Sequence, residues 1–451
     1  MNWLQVRLAL KACFSPSNRS IMKAHKSVKV DCSILGGGIA GLWLLNRLKA
    51  KGYKAILLEN QALGGTQTLA SQGIIHGGVK YSLRTIGISK ATQSIAAMPE
   101  RWHNMLAGTP AANDPDLSAY QLISSPEYNL WIRNALPRLT GFFAERKLHS
   151  RLTLLNQNHK QKGRLYRLNG EFVVDIPKLV RALATPHQTE IFSINKMQMT
   201  WVKTQSGDYH LDLSGEDTAT NYRISAKQFI TTAGVGTQAI LQQTELTDRL
   251  AMQRRPLHMI MAKHPVPADH TSTNQIFIDQ TFMHQTFTHI VGWSDKPLMT
   301  ITSHMLPSGN CVWYIGGNIG EQGVVMEKLD LLQNAKKCLI SYFPRINWNK
   351  VSWDTLRIDR AEPQNKTTKT GHTRPDHPYC QQLANLMVCW PTKLTLVPML
   401  ADQVIAKLEK HFSPAGTMKN QSLATNPLLN LPKPAFGLPP WEKVAWTDVN
   451  L

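Results

Sequence analysis

The stretch that most constrains this chain is residues 30–60, VDCSILGGGIAGLWLLNRLKAKGYKAILLEN. It opens with Val30–Leu35, a short, mostly apolar run that reads as a buried parallel strand. The glycines follow as Gly36-x-Gly38-x-x-Gly41. One turns the chain, one lets a pyrophosphate approach the backbone, and one lets the helix pack against its strand. From Ile39 and Ala40 onward the apolar residues Ile39, Leu42, Leu44, Leu45 and Leu48 fall broadly on one helical face, with Arg47, Lys49 and Lys51 at polar positions. Gly52 ends the helix. Ala55–Leu58 is a second buried strand running into Glu59 and Asn60. A carboxylate there accepts hydrogen bonds from ribose hydroxyls and repels a 2′-phosphate. Glycines alone could mark a turn without a ligand. With two strands, a helix and a terminal Glu, they describe a dinucleotide-binding unit.

The 451 residues suggest two or three domains. A hydrophobic fraction of 42% with 18% charged residues is ordinary for a soluble globular protein. No run of 18 apolar residues argues for a spanning helix. The six cysteines show no CxxC or zinc spacing, which fits a reduced intracellular compartment, and Cys32 reads as a small core residue. The formal charge of +20 is unusual. It would draw anionic substrates, anionic lipid or nucleic acid, or it is a solvated surface with no specific partner. Part of it lies in Arg7, Lys11, Arg19, Lys23, Lys26 and Lys29, with no acid among residues 1–30. Three readings fit this leader: a short basic amphipathic helix, a mitochondrial transit peptide, or a native start at Met22. The compartment expected is the cytoplasm, with or without peripheral contact to the inner membrane, or the mitochondrial matrix for a eukaryotic source.

The second informative stretch is 64–81, GGTQTLASQGIIHGGVKY. Its Gly, Ser, Thr and Gln content predicts a loop packed beside the nucleotide, with Thr66, Ser71, Gln72 and Gly73 offering hydroxyl, amide and backbone groups. The combination of GGGIAG, Glu59 and the TxxSxGxxHGGxxY segment from Thr68 to Tyr81 resembles the D-amino-acid oxidase superfamily of FAD oxidoreductases. The His-Gly-Gly and the following Tyr look most like the glycerol-3-phosphate and 2-hydroxyglutarate dehydrogenase branches. The resemblance implies FAD as cofactor and places this loop against the isoalloxazine ring.

Further matches follow in the same chain order. Val174–Leu183 resembles a superfamily segment in which a strand leads into a helix, although Asp175 as N-cap and Pro177 in the first turn explain it structurally as well. Phe192–Trp201, Tyr209–Leu213 and Tyr222–Ile224 read as a meander. The strand over 226–236 ends in Thr-Thr-Ala-Gly, and its Ala233 and Gly234 resemble the return strand beside the adenosine. Trp390-Pro391-Thr392-Lys393-Leu394-Thr395 resembles the closing motif that brings a helix N-terminus to the flavin, with Trp-Pro-Thr-Lys replacing the usual glycine-rich turn.

The expected fold is α/β, with a Rossmann-like FAD-binding domain in three pieces (30–95, 151–245 and 351–411) and an antiparallel-sheet substrate domain (246–350). A basic extension (1–29), a helical cap segment (96–150) and a Pro-rich tail (412–451) anchored by Trp441 and Trp446 complete it. Within this frame Lys393 is the candidate to stabilise reduced flavin. His76 is the candidate acid/base, with two competing roles, a backbone hydrogen bond in the Gly-Gly turn and covalent flavin attachment. For an anionic substrate the cations favoured are Arg360 and Arg255, with Lys80, His258 and Tyr81 as second choices. Glu362 is an alternative partner that would neutralise Arg360. The sixteen histidines show no metal spacing. The activity expected is FAD-dependent oxidation of a small anionic hydroxy acid, glycerol phosphate or amino acid, with oxygen, a quinone or a carrier protein as electron acceptor. The alternatives are an amine oxidase acting on a modified tRNA base and a flavin-binding protein without turnover. Nucleic acid is disfavoured, because no basic stripe with interleaved aromatics is seen.

Overall fold

A computed structural model describes residues 25–77, 95–132, 152–156, 163–215, 221–265, 287–291, 297–343, 347–364, 377–414, 426–444 and 446. Lys80, Tyr81 and the leader before His25 lie outside the described residues. In chain order the strands and helices begin with β1 (His25–Leu35), α1 (Ile39–Ala50), β2 (Ala55–Glu59), β3 (Ile74–Ile75), α2 (Met98–Leu106), β4 (Ile123–Ile132) and β5 (Leu152–Asn156). There follow β6 (Gly163–Val174), α3 (Ile176–Ala184), β7 (Ile191–Ser193), β8 (Met197–Lys203), β9 (Tyr209–Gly215), β10 (Asn221–Thr231) and α4 (Thr237–Gln243). Next come β11 (Met252–Pro265), β12 (Phe287–Val291), β13 (Pro297–Met305), β14 (Asn310–Gly316), α5 (Asn318–Gln322) and α6 (Lys328–Tyr342). The last are β15 (Ser352–Pro363), β16 (Tyr379–Leu383), β17 (Leu386–Trp390), α7 (Val397–His411) and α8 (Pro440–Lys443).

Two sheets organise these elements. The first has the order β16-β17-β10-β1-β2-β7, and its neighbours from β17 to β7 are parallel. The β8–β9 pair joins it through the first half of β10. One face carries Cys32, Ile34, Ala55, Leu57 and Met387, packed under α1, α3 and α7. A fully buried Leu or Ile there contributes about 1.5–3 kcal/mol. Arg47, expected on a polar face, is instead buried, because it pairs with Asp114 and with Asp402 (3.0 Å). Arg101 reaches the same two carboxylates, so α1, α2 and α7 are tied together electrostatically. Asp175 does cap α3, accepting from the Lys178 N–H at 3.0 Å.

The second sheet has the order β15-β11-β14-β13-β12-β4-β6-β3 and is antiparallel except for β12–β4. Its strands come from a wider range than 246–350. Segment 96–150 was expected to be helical, yet after α2 it supplies β4, whose ladder is completed by residues 163–174 and 287–291. β15 lies in the stretch assigned to the third FAD piece but pairs along its whole length with β11. The cause is pairing distant in sequence, which outweighs local propensity. β1 likewise starts at His25, five residues before its apolar run, because it pairs with the start of β10.

One face of the second sheet is covered by α6 through Ile260, Ala262, Trp313 and Trp353. The other carries Met259, Met261, Tyr314, Leu356 and Ile358, and it turns toward the first domain. The Tyr314 hydroxyl donates to the Ala70 carbonyl at 2.9 Å, and Gln72 Nε2 donates to the Thr300 and Tyr314 carbonyls at 2.9 and 2.8 Å. Trp441, buried near the chain end, stacks on His304 at 3.8 Å, and Trp446 Nε1 donates to the Trp441 carbonyl. Among the described residues no helix is long and apolar enough to cross a membrane.

Candidate active site at the junction of the two sheets

At the end of β1, Gly36 has φ +106°, and a Cβ there would lie 2.7 Å from Ala233 Cα. The Thr232 hydroxyl closes the same contact, donating to the Gly36 carbonyl at 3.0 Å. A Cβ on Gly41 would lie 2.0 Å from the Gly36 carbonyl oxygen, so only glycine lets α1 start this close to its strand. Gly38 caps α1 without a side chain, and the Ile39 N–H donates to Thr68 Oγ1 at 3.0 Å. The Ala40 and Gly41 N–H groups belong to the first turn and have no acceptor within the helix. They present donors and a helix dipole to an anion.

Glu59 is buried beside this turn, where its carboxylate accepts from the Gly37 N–H and, at 2.7 Å, from the Gln61 N–H. Burial raises its pKa, while the backbone donors at Gly37, Gln61 and Asn60 oppose the shift. An ionised carboxylate has about four lone-pair sites, so acceptor capacity remains for a diol. Asn60 is exposed next to it. The unit thus fits a dinucleotide: amides for pyrophosphate, a carboxylate for ribose, and a backbone cradle that a Cβ would fill.

The 64–77 loop divides its labour differently from the expectation. Thr66 is exposed, and Thr68 is the hydroxyl aimed at the helix start. Ser71 lies half-buried, and the Gln72 side chain is committed to the second sheet, leaving its backbone for a ligand. Gly73 has φ +73° and lies where a Cβ would be 2.2 Å from the Val174 carbonyl.

His76 and the closing turn meet through Thr395. The His76 N–H donates to Thr395 Oγ1 at 3.2 Å, and Thr395 is fully buried with its carbonyl held by Trp102 Nε1 at 3.0 Å. The next N–H, of Gly77, donates to the buried carboxylate of Glu171 at 2.7 Å. Lys393 precedes a single 3-10 turn, Leu394–Leu396, that leads into α7. Thr392, at φ +60°, makes the sharp corner where the sequence resemblance implies a glycine-rich turn.

Arg360 is fastened to that corner, its Nη2 donating to the Thr392 carbonyl at 3.0 Å. β11–β15 register sets Arg360 opposite Arg255. By strand alternation both share the face of Leu257, Met259 and Ile358, toward the first domain. Like charges opposite each other repel, and Glu362, 1% exposed, relieves this. Its Oε1 lies 2.9 Å from Arg255 but 3.5 Å from Arg360, so it serves Arg255 first. Glu321 adds a second carboxylate to Arg255 at 3.2 Å.

His258 is a correction. It sits on the opposite face under α5 and α6, with Nδ1 at 2.9 Å from the Gly323 carbonyl and Nε2 at 2.9 Å from Thr355 Oγ1. Burial lowers its pKa, and both ring nitrogens are committed to structure. Sequence reasoning missed Trp102 and Glu171, and it did not single out Thr68 or Thr232 as contacts although it quoted the motifs that contain them. Among the described residues no group of His, Cys, Asp or Glu is arranged to hold a metal.

Residues 31–361 match the family described as FAD dependent oxidoreductase, the DAO family. The chain belongs to this family. It is 34% identical over 427 residues to a protein of Pseudomonas aeruginosa named "Probable FAD-dependent oxidoreductase PA4991", covering 92% of this chain and 98% of that one. The crystal structure of PA4991 superposes with a TM-score of 0.71, covering 93% of this chain and 99% of that chain. Iminodiacetate oxidase from Chelativorans sp. BNC1 has the same fold, with a TM-score of 0.56 at 13% identity over 85% of this chain and 96% of that one. Glycine oxidase from Geobacillus kaustophilus gives 0.54 at 15% identity over 85% and 95%. This chain is therefore an FAD-dependent oxidoreductase with the family's two-domain fold, a mainly parallel nucleotide sheet and a second, mainly antiparallel sheet.

Proposed function

We propose that this member oxidises a small anionic substrate, a hydroxy acid, glycerol phosphate or amino acid, in the manner of the glycerol-3-phosphate and 2-hydroxyglutarate dehydrogenase branches that its His76 loop and closing turn resemble. Bound FAD supplies the hydride acceptor at flavin N5. Gly36–Gly41, Glu59 and the 64–73 loop would hold the nucleotide, and Lys393 with the turn before α7 would hold the flavin end. The Arg360 guanidinium binds the substrate's carboxylate or phosphate, while Glu362 makes its shorter pairing with Arg255, 2.9 Å against 3.5 Å. His76 accepts the proton of the substrate hydroxyl or amine through its imidazole as the C–H bond is broken. Oxygen, a quinone or a carrier protein then takes the electrons.

The observation that carries this reading is the pair of ties at the closing turn. Thr395 binds the His76 backbone, and the Thr392 carbonyl binds Arg360, so an acid/base candidate, a cation and the turn at Lys393 are anchored to four consecutive residues. The test is anaerobic bleaching of the bound flavin by a panel of hydroxy acids, amino acids and glycerol phosphate. Bleaching by an anionic member supports the reading. Bleaching by no member of the panel overturns it.

A further inference from the structure

Cys380 and Cys389 lie nine residues apart in the sequence, with no CxxC spacing. β16 and β17 form an antiparallel hairpin in which they face each other directly. Their sulfurs are 3.7 Å apart, with the Cys389 thiol donating to Cys380 Sγ. Directly opposed residues on antiparallel strands have Cα atoms about 4.5–5.5 Å apart, inside the roughly 4.4–6.8 Å span a disulfide bridges. Closing the bond therefore requires side-chain rotation and leaves the ladder in register. The two thiols also differ in access. Cys389 is 1% exposed beneath α7, whereas Cys380 is half-buried on the outer strand. Burial and the hydrogen bond to Cys380 push the Cys389 thiol well above its usual range.

We propose that Cys380 and Cys389 are a reversible dithiol–disulfide site, with Cys380 the attacking sulfur and Cys389 the resolving one. The oxidant is a low-molecular-weight disulfide. Cys380 thiolate attacks one of its sulfurs, forms a mixed disulfide and expels one thiolate, which takes up the Cys380 proton. Cys389 then attacks Cys380 Sγ, and the second small thiol leaves with the Cys389 proton. The dithiol loses two electrons and the small disulfide gains them. The bond would clamp the hairpin that feeds the closing turn. Tyr379 faces Trp390, and the Thr392 hydroxyl donates to the His377 carbonyl at 3.1 Å, so the hairpin is continuous with the corner that holds Arg360.

The experiment incubates the full-length, flavin-bound protein with glutathione disulfide, alkylates the remaining thiols and maps the peptides. The expected product is a Cys380–Cys389 cross-link, two hydrogens lighter, which dithiothreitol reverses. Cys389→Ser should instead accumulate one glutathione on Cys380, and Cys380→Ser should leave Cys389 unmodified. Wild-type mapping decides the matter even if a variant fails to fold. Full alkylation of both cysteines after oxidant, or a lasting glutathione adduct on wild-type Cys380, overturns the proposal.

Discussion

The nucleotide-binding unit and the proposed substrate site of this molecule are built in opposite ways. The first is built around one contiguous unit of β1, α1 and β2, in which Gly36 and Gly41 answer to the adjoining return strand and to the turn itself, while Gly37 and Gly38 face Glu59, Leu63 and Thr68 just beyond it. The second is assembled from residues 76, 255, 360 and 393, brought together by strand register and by two threonines. A local unit fails when any one contact in it is blocked. A dispersed site separates into residues that bind substrate and residues that only hold the sheet, and those can be changed independently.

The largest effect should come from the local unit. Gly41→Val puts a branched side chain where even a Cβ would be 2.0 Å from a carbonyl oxygen, and flavin binding should fall by roughly 100-fold or more, about 3 kcal/mol or above. The purified variant should be colourless in an FAD titration; retention of wild-type affinity would break the account of the cradle. Next is His258→Ala, which orphans the Gly323 carbonyl and the Thr355 hydroxyl. Chemical denaturation should show a loss of about 2–3 kcal/mol, with substrate affinity unchanged. Weaker substrate binding at intact stability would move His258 back into the site.

Arg360→Met should do the reverse. We expect substrate binding about 30-fold weaker, near 2 kcal/mol for a charge-assisted contact, with FAD affinity retained. Equal substrate affinity in variant and wild type would remove Arg360 from recognition. The smallest effect is a slope. Because burial raises the Glu59 pKa, the folded chain holds that proton more tightly than the unfolded one. The resulting stabilisation is complete below about pH 4.3 and is lost as pH rises through the raised folded value. In the flavin-free chain, the Tm advantage of wild type over Glu59→Gln should therefore shrink with rising pH across that window. An advantage that grows instead would show that the N–H donors outweigh burial.

The same contrast explains what the sequence disclosed. Residues 30–60 were legible because strand, glycines, helix, strand and Glu follow one another without a break, and Asp175 was recognised as a cap because its partner lies three residues on. β4 was hidden because ISSPEYNLWI carries a proline and little β-branching, and it becomes a strand only beside residues 163–174 and 287–291. Arg255 and Arg360 were both picked out as cations. Only the register of β11 with β15 reveals that they are opposite one another and that Glu362 belongs first to Arg255. His258 was misread because alternation puts it on the α6 face, and one residue of register separates that face from the site. Thr395 was placed near the flavin, but its bond to the His76 loop, over 300 residues away, has no signature in either segment.

The central claim is that His76 takes the substrate proton at a site anchored to the closing turn. It is tested most directly by single-turnover anaerobic flavin reduction in His76→Gln with whichever anionic substrate bleaches the wild type. The substitution leaves the His76 backbone bond to Thr395 available, so FAD and substrate should still bind. The account expects reduction slowed by about 100-fold or more, the usual range for a lost general base. Reduction at the wild-type rate with both ligands bound would contradict it.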